Sequence, residues 1–495
     1  MSRKLRKSAA VGVAVILGVA VLAVSVGVAS DTSVSKRATK SAQAVRVDQH
    51  AFPRTFSFWK CSPENDVARR DMIAGPPNCN VNLMRRLNPK GVFLLFPSLF
   101  PSGDNPWSAG DLGGMNVTYG SALWYWRQGY AWKDGGCDKL PGPVNLGCIR
   151  PFNFDWDYMW NANGVEARVG DYTGAHRGFN VADPMGKGTR ELVAKFFAYT
   201  AKLSGLYTKG WDGVFSDNWS YSAIGLNWAY GPNLDTDRDG KVDDIETLRK
   251  RWNDGLNEVG NRIRSYLPGK IVAGNNTWFP MWLGYQGTDP QGWLKASNAT
   301  FVEDITGFYD RPELLLRTAS RWLTFKDPKG LPRYVVFQQD ALTGPGRFDR
   351  LSIPSSADPN DPKYMLHPGV MRSMRWGLTL ALMSGAYYEI IVEQMHGTRW
   401  WYDEYDGGKG IRHRGYLGNA LGPAVKLEAG GVWRRDFEHG IALNNSTSEM
   451  VTIDLKKPFR RLRGTQNPRL NDGRVVTRVT LVAHDGLILL KIKQK

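Results

Sequence analysis

Short apolar runs alternate along this chain with longer stretches whose apolar residues recur every three or four positions, the rhythm of buried strands and amphipathic helices in turn. Leu192, Val193, Phe196, Phe197, Leu203 and Leu206 keep helical spacing. They lead into Gly210-Trp-Asp-Gly-Val-Phe-Ser-Asp-Asn-Trp219, whose apolar centre, Val214-Phe215, is too short for a helix. Helix, buried strand and polar tip are the unit of a parallel α/β architecture. The strands expected on this basis are Thr55–Trp59, Gly91–Pro97, a weak third within Met159–Val169, 211–217, Lys270–Asn276, Thr300–Glu303, Arg333–Gln338 and Ala386–Glu389. Eight such units predict a (β/α)8 barrel over residues 51–424. Barrels of this kind carry their chemistry at the C-terminal strand ends, so Asp217, Asn275, Asn276, Glu303, Asp304, Gln338, Asp340 and Glu389 are expected around one mouth.

Beyond residue 425 the helical spacing stops. Gly431–Asp436, Gly440–Asn445, Met450–Leu455, Val475–Val482 and Gly486–Ile492 read as short strands without intervening helices, which predicts a small antiparallel, sandwich-like β domain over 425–495. At the other end, Arg3, Lys4, Arg6 and Lys7 precede an uncharged apolar run, Ala9–Ala29, with a small-residue exit at Gly27-Val-Ala-Ser30. Residues 1–30 are therefore expected to act as a signal peptide or as an N-terminal membrane anchor, and both readings stay open. No Cys follows the run, which excludes a lipid anchor there. Residues 31–50, rich in Thr, Ser, Lys, Ala and Gln, read as a disordered spacer, and the chain is expected outside the cytoplasm, secreted or in the cell envelope.

Export changes the reading of the four cysteines. Cys61, Cys79, Cys137 and Cys148 match no zinc spacing, and disulfides are the expectation in an oxidising compartment. Three pairings are open; Cys61–Cys79 and Cys137–Cys148 close the short Pro- and Gly-rich loops. The formal charge is +17, and the four basic residues of the N-terminal head leave +13 on the remainder. Such a surface suits acidic partners such as teichoic or uronic polymers or phospholipid, although solubility alone also accounts for it. No nucleic-acid motif is present, so no nucleic-acid partner is expected.

Two constellations carry chemistry. Asp235-Thr-Asp-Arg-Asp-Gly-Lys-Val-Asp-Asp-Ile-Glu246 has calcium-loop spacing. Asp235, Asp237 and Asp239 fall at its first, third and fifth positions, Lys241 offers a carbonyl, Asp243 takes the often water-mediated place and Glu246 can bind bidentately. A helix bearing Leu248, Trp252, Leu256, Val259 and Ile263 follows and reads as core packing, so the loop is expected to be a structural Ca2+ clamp; no organic cofactor is expected. The second constellation is a pair of carboxylates, Asp217 at the fourth strand end and Glu303 at the sixth. A pair of this kind suits acid and base or nucleophile work on a glycosidic bond. Asp304 points away from Glu303 unless the strand ends at Val302. The 19 Trp exceed what a core requires, and Trp160, Trp219, Trp278, Trp400 and Trp401 are candidate sugar platforms. Asn218, Asn275, Asn276, Asp304, Asp340, Glu389 and Asp403 complete the candidate substrate-binding set, with Asp403 equally able to hold the barrel to the β domain.

The residues that carry a resemblance are Gly210-Trp-Asp-Gly-Val-Phe-Ser-Asp-Asn-Trp219, the Asp-x-Asp-x-Asp-Gly insertion after it, Trp400-Trp-Tyr-Asp-Glu-Tyr-Asp406, Tyr416-Leu-Gly-Asn-Ala-Leu-Gly-Pro423 and Gly431-Val-Trp-Arg-Arg-Asp-Phe-Glu-His-Gly-Ile-Ala-Leu443. Over roughly residues 50–495 the chain resembles the hypothetical TIM-barrel glycosyl hydrolases of bacteria, kin of the α-amylase and α-galactosidase clans. The resemblance implies a (β/α)8 barrel with a C-terminal β domain, a polysaccharide or oligosaccharide substrate, and a fourth-strand Asp, here Asp217, as nucleophile or base. Related clans place the acid on strand five or strand six; strand five here ends in Asn275-Asn276, which cannot donate as acids, so Glu303 is preferred. The Cys-rich stretch of residues 100–150 is no part of the resemblance.

Overall fold

The computed structural model describes residues 50–59, 61, 63–97, 116–118, 156–157, 159–165, 176–216, 233–275, 290–309, 311–341, 358, 360–392, 399–428 and 431–492. In chain order the first ten strands are β1 (Phe56–Phe58), β2 (Met72–Gly75), β3 (Val92–Leu95), β4 (Asn116–Thr118), β5 (His176–Gly178), β6 (Gly213–Ser216), β7 (Ile271–Asn275), β8 (Ala299–Val302), β9 (Tyr334–Asp340) and β10 (Tyr387–Ile391). β4 and β5 pair with each other. The other eight join one parallel sheet in the order β1-β2-β3-β6-β7-β8-β9-β10. A parallel bridge between Thr55 and Tyr388, with Tyr388 N donating to Arg54 O at 3.0 Å, closes the sheet on itself. The expected (β/α)8 barrel is therefore the fold.

One expected strand is corrected. The second barrel strand is Met72–Gly75, and Val92–Leu95 is the third. Within Met159–Val169, the described residues hold only an isolated antiparallel bridge from Asn161 to Leu234. Met-Ile-Ala-Gly is four residues long and wedged between Arg69-Arg70-Asp71 and Pro76-Pro77, which read as a loop. It is nevertheless fully buried, because parallel strands are covered on both faces.

The helices form where the spacing indicates. Ile245–Tyr266 begins at Asp244, whose carboxylate accepts from Thr247 N, and it buries Leu248, Trp252, Leu256, Val259 and Ile263 along one stripe. Pro368–Ser384 starts with Pro at the first turn and ends at Gly385 in the left-handed conformation, φ +80°. It is buried on nearly every face because it lies between the barrel and the C-terminal sheet.

That sheet has six antiparallel strands, β11 (Val425–Lys426), β12 (Trp433–Asp436), β13 (Gly440–Asn445), β14 (Val451–Arg461), β15 (Val475–Leu481) and β16 (Asp485–Lys491), in the order β11-β12-β13-β16-β14-β15. A register break in β14 between Asp454 and Phe459 lets it pair with both β15 and β16, and the sheet encloses its own core of Ile441, Leu443, Ile453, Phe459 and Leu489. On Pro368–Ser384 it is fastened by polar contacts. Arg375 donates to both oxygens of Asp485 at 2.9 Å, Asn444 Nδ2 donates to Trp376 O at 2.8 Å, and Trp376 Nε1 donates to Ser446 Oγ at 3.0 Å.

Candidate active site

Alternation along each strand sends every second side chain into the barrel. Those inward positions are apolar through the lower layers: Phe56, Phe58, Phe215 and Phe301 meet in the middle, with ring centroids of Phe58 and Phe215 4.9 Å apart and of Phe215 and Phe301 5.4 Å apart. The next inward positions toward the C-terminal ends change character. Ala273 is followed by Asn275, Phe301 by Glu303, Val336 by Gln338 and then Asp340, and Tyr387 by Glu389. A polar ring thus rests on an aromatic floor, which keeps water from entering below it and raises the strength of electrostatic contacts within it.

Within the ring, Asn275 Nδ2 donates to Glu303 Oε2 at 2.8 Å, so neighbouring strands β7 and β8 present an oriented carboxylate. Glu303 is half-buried and stands one residue beyond the end of β8. β8 does end at Val302, but Asp304 has another task. At φ +47° it caps the short 3-10 turn Ile305–Phe308, accepting from Thr306 N and Thr306 Oγ1, and it also accepts from Asp340 N at 3.4 Å. Asp340 is itself buried at the end of β9. Glu389 lies deeper, accepting from Gln338 Nε2 at 2.7 Å and from Phe58 N at 2.9 Å. Burial pushes its carboxyl up to about 7 against those two donors and the nearby Arg70. The Phe58 donor is a main-chain group and leaves no trace in sequence. Asp217, Asn218, Trp219, Asn276 and Trp278 lie outside the described residues.

The acidic loop after β6 folds around its first residue. Gly240 N and Asp239 N donate to the two oxygens of Asp235 at 2.9 and 3.1 Å, and Gly240 takes φ +83°, the turn the spacing requires. One carboxylate oxygen from each of Asp235, Asp237 and Asp239 falls within 4.8 Å of the others, a cluster that could hold a metal ion. Other side chains of the loop have protein partners. Asp243 accepts from Thr236 N and Oγ1, both at 2.7 Å; Glu246 accepts twice from Arg249 at 2.8 Å; and the Lys241 ammonium pairs with Asp239 at 3.0 Å.

The Trp400–Asp406 motif is placed away from the mouth. Arg70 Nη2 donates to Trp400 O at 2.8 Å, and its guanidinium lies 5.3 Å from the Trp401 ring. Trp401 lines a cavity among the residues that precede β1, β2 and β3, at the N-terminal end of the barrel and opposite the polar ring. Asp403 accepts from Thr465 N at 2.7 Å and Gln466 N at 3.0 Å, so it ties this motif to the loop between β14 and β15. Trp160 lies under the Arg238 guanidinium, 4.0 Å away, against the acidic loop. Cys61 and Cys79 form the expected disulfide; Cys137 and Cys148 lie outside the described residues.

Among solved structures, the chain is similar to an α-amylase from Lactobacillus plantarum, with 9% identity over 87% of this chain and 92% of that one and a TM-score of 0.39. It is also similar to an α-amylase from Geobacillus thermoleovorans complexed with acarbose, with 10% identity, 89% and 99% coverage and a TM-score of 0.38. A third is a GH27 β-L-arabinopyranosidase from Geobacillus stearothermophilus, with 14% identity and a TM-score of 0.34, where the alignment covers 66% of each chain. No curated protein matches the chain. Residues 172–441, more than half of the chain and spanning β5 through β12, match a family model, and by that match the chain belongs to hypothetical glycosyl hydrolase family 15.

Proposed function

We propose that this protein is an exported glycoside hydrolase that cleaves an extracellular or cell-envelope polysaccharide with two carboxylates, Glu303 as acid and Asp217 as nucleophile or base. The observation that carries the reading is Glu303 itself: inward-facing, half-buried and oriented by Asn275 above an aromatic floor, in a chain that belongs to a glycosyl hydrolase family. Support for Asp217 comes from strand period. Phe215 faces the barrel interior, and 217 is the next position of the same parity, three strand ends around the ring from Asp340. Glu303 protonates the departing glycosidic oxygen while Asp217 attacks the anomeric carbon or activates water for that attack. Asp340 and Glu389 shape the floor of the sugar site.

The Asp235, Asp237 and Asp239 cluster is proposed to hold Ca2+, whose charge would relieve the repulsion of three close carboxylates. Its part is structural: the loop connects the catalytic strand β6 to the helix Ile245–Tyr266. The basic apolar N-terminal segment supports export, as a signal peptide or as an anchor. Incubating the protein with a panel of acidic and neutral envelope polysaccharides and counting new reducing ends tests the activity. Release of reducing ends from at least one is expected; retention of several without cleavage of any would replace hydrolysis by carbohydrate binding on the same barrel.

A further inference from the structure

One cavity among the described residues lies away from the polar ring. It holds 740 Å3 and opens at the other end of the barrel, lined by Asp71 and Lys90 just ahead of β2 and β3, by Trp401 and Asp406, and by Arg412 and Arg414. That volume is within the range of small-molecule and oligosaccharide sites. Its walls are fixed. Asp71 accepts from Thr55 N at 2.8 Å and Thr55 Oγ1 at 2.9 Å, which joins the entrances of β1 and β2. Trp401 Nε1 donates to Asp406 Oδ2 at 2.9 Å, and Gly408 N donates to the other Asp406 oxygen at 3.0 Å, so the indole plane is held and Asp406 is engaged by neutral donors.

Charge in the walls divides unevenly. Arg414 is spent on the protein, donating to Arg69 O at 2.9 Å and Asn88 Oδ1 at 3.2 Å and approaching Asp71 at 3.5 Å. Arg69 pairs with Asp66 at 3.5 Å. Lys90 and Arg412 are exposed and make no ion pair or side-chain hydrogen bond among the described residues. Arg412 also occupies a backbone position that disfavours it: φ is +48°, whereas the left-handed positions at 407, 408, 410 and 415 in the same loop are all glycine. A long cationic side chain kept at a glycine-like position beside a cavity is a strained residue that points to a use.

We propose that this cavity is an anion-binding site, separate from the catalytic mouth, that takes a carboxylate- or phosphate-bearing sugar: Lys90 and Arg412 bind the oxyanion and Trp401 offers its face to the ring. Guanidinium and ammonium supply charge-assisted donors to an oxyanion, and an indole packs against the C–H face of a sugar. The site uses neither Asp217 nor Glu303 and therefore stands apart from the hydrolytic assignment. In a chain of charge +17 it gives part of the basic surplus a defined location.

The test is calorimetric titration of the full chain with oligogalacturonate, with inorganic tripolyphosphate and with a neutral malto-oligosaccharide, at low and high salt. The site predicts binding of at least one anionic probe, weakened by salt, with the better probe naming the anion. Lys90→Gln and Arg412→Gly together should weaken that binding by about a hundredfold, roughly tenfold for each charge-assisted hydrogen bond removed. Arg412→Gly relieves the backbone, so its thermal midpoint should not fall. Equal affinity in wild type and the double variant, or no binding of either anion, overturns the proposal.

Discussion

Glu389→Gln isolates one buried charge. The carboxyl is 1% exposed and burial lifts it from an ordinary 4.5 to about 7, so the folded protein binds this proton more tightly than the unfolded chain does. The sign follows from that. The stability attached to the protonated form is fully present below pH 4.5 and is lost as pH rises through about 7. At 1.36 kcal/mol per unit, wild type should lose about 2–3 kcal/mol between pH 5 and pH 8 through this group alone. The geometry lets glutamine replace the neutral acid. Phe58 N still has a carbonyl to donate to, and Gln338 Oε1, which is buried without a hydrogen-bond partner, can accept from the new amide once the Gln338 amide turns over. Chemical unfolding followed by Trp fluorescence at pH 5 and pH 8, in wild type and Glu389→Gln, reads the difference with all other titrating groups cancelled. The variant should gain about 2–3 kcal/mol on wild type over that interval. Parallel pH dependence in the two proteins would refute the buried, raised carboxyl.

Other outcomes follow from the packing and the loops. Removing divalent ions with a chelator should lower the thermal midpoint reversibly, and Asp237→Ala should abolish that sensitivity; an unchanged melt in both tests removes the metal from the acidic loop. Gly486→Ala should destabilise by about 1–3 kcal/mol, because a Cβ there would lie 2.1 Å from Thr379 Oγ1 and 2.3 Å from Arg375 O, where the C-terminal sheet meets the barrel helix. An unshifted unfolding midpoint would mean that the sheet does not dock so closely. Unreduced peptide mapping should recover Cys61 linked to Cys79, and free alkylation of either thiol would contradict it.

Much of the barrel was legible because its strands are apolar runs of three to seven residues, several with polar tips, as at Lys270–Asn276 and Arg333–Gln338. The second strand was not, since Met72–Gly75 is pressed between Arg69-Arg70-Asp71 and Pro76-Pro77, which read as a loop. Glu303 was legible as a strand-end acid, whereas its Asn275 contact and the split between a capping Asp304 and an inward Glu303 depend on where β8 stops. The acidic loop shows what spacing can miss: Asp235, Asp237 and Asp239 converge, but Arg249 competes for Glu246 one helical turn later. Trp400 and Trp401 lay close to a strand end in sequence and far from the mouth in space, because the chain returns to the N-terminal side of the barrel before reaching them. The cavity there had no linear signature at all, being assembled from residues between His50 and Gly415.

The most direct measurement of the central claim is turnover by Asp217→Asn and Glu303→Gln on the polysaccharide that wild type cleaves, with affinity for that glycan measured beside it. Each variant should lose about a hundredfold to ten-thousandfold in turnover while still binding the glycan, since the amides keep the shape of the acids and remove only their charge or proton. Wild-type turnover in both variants would contradict the two-carboxylate account.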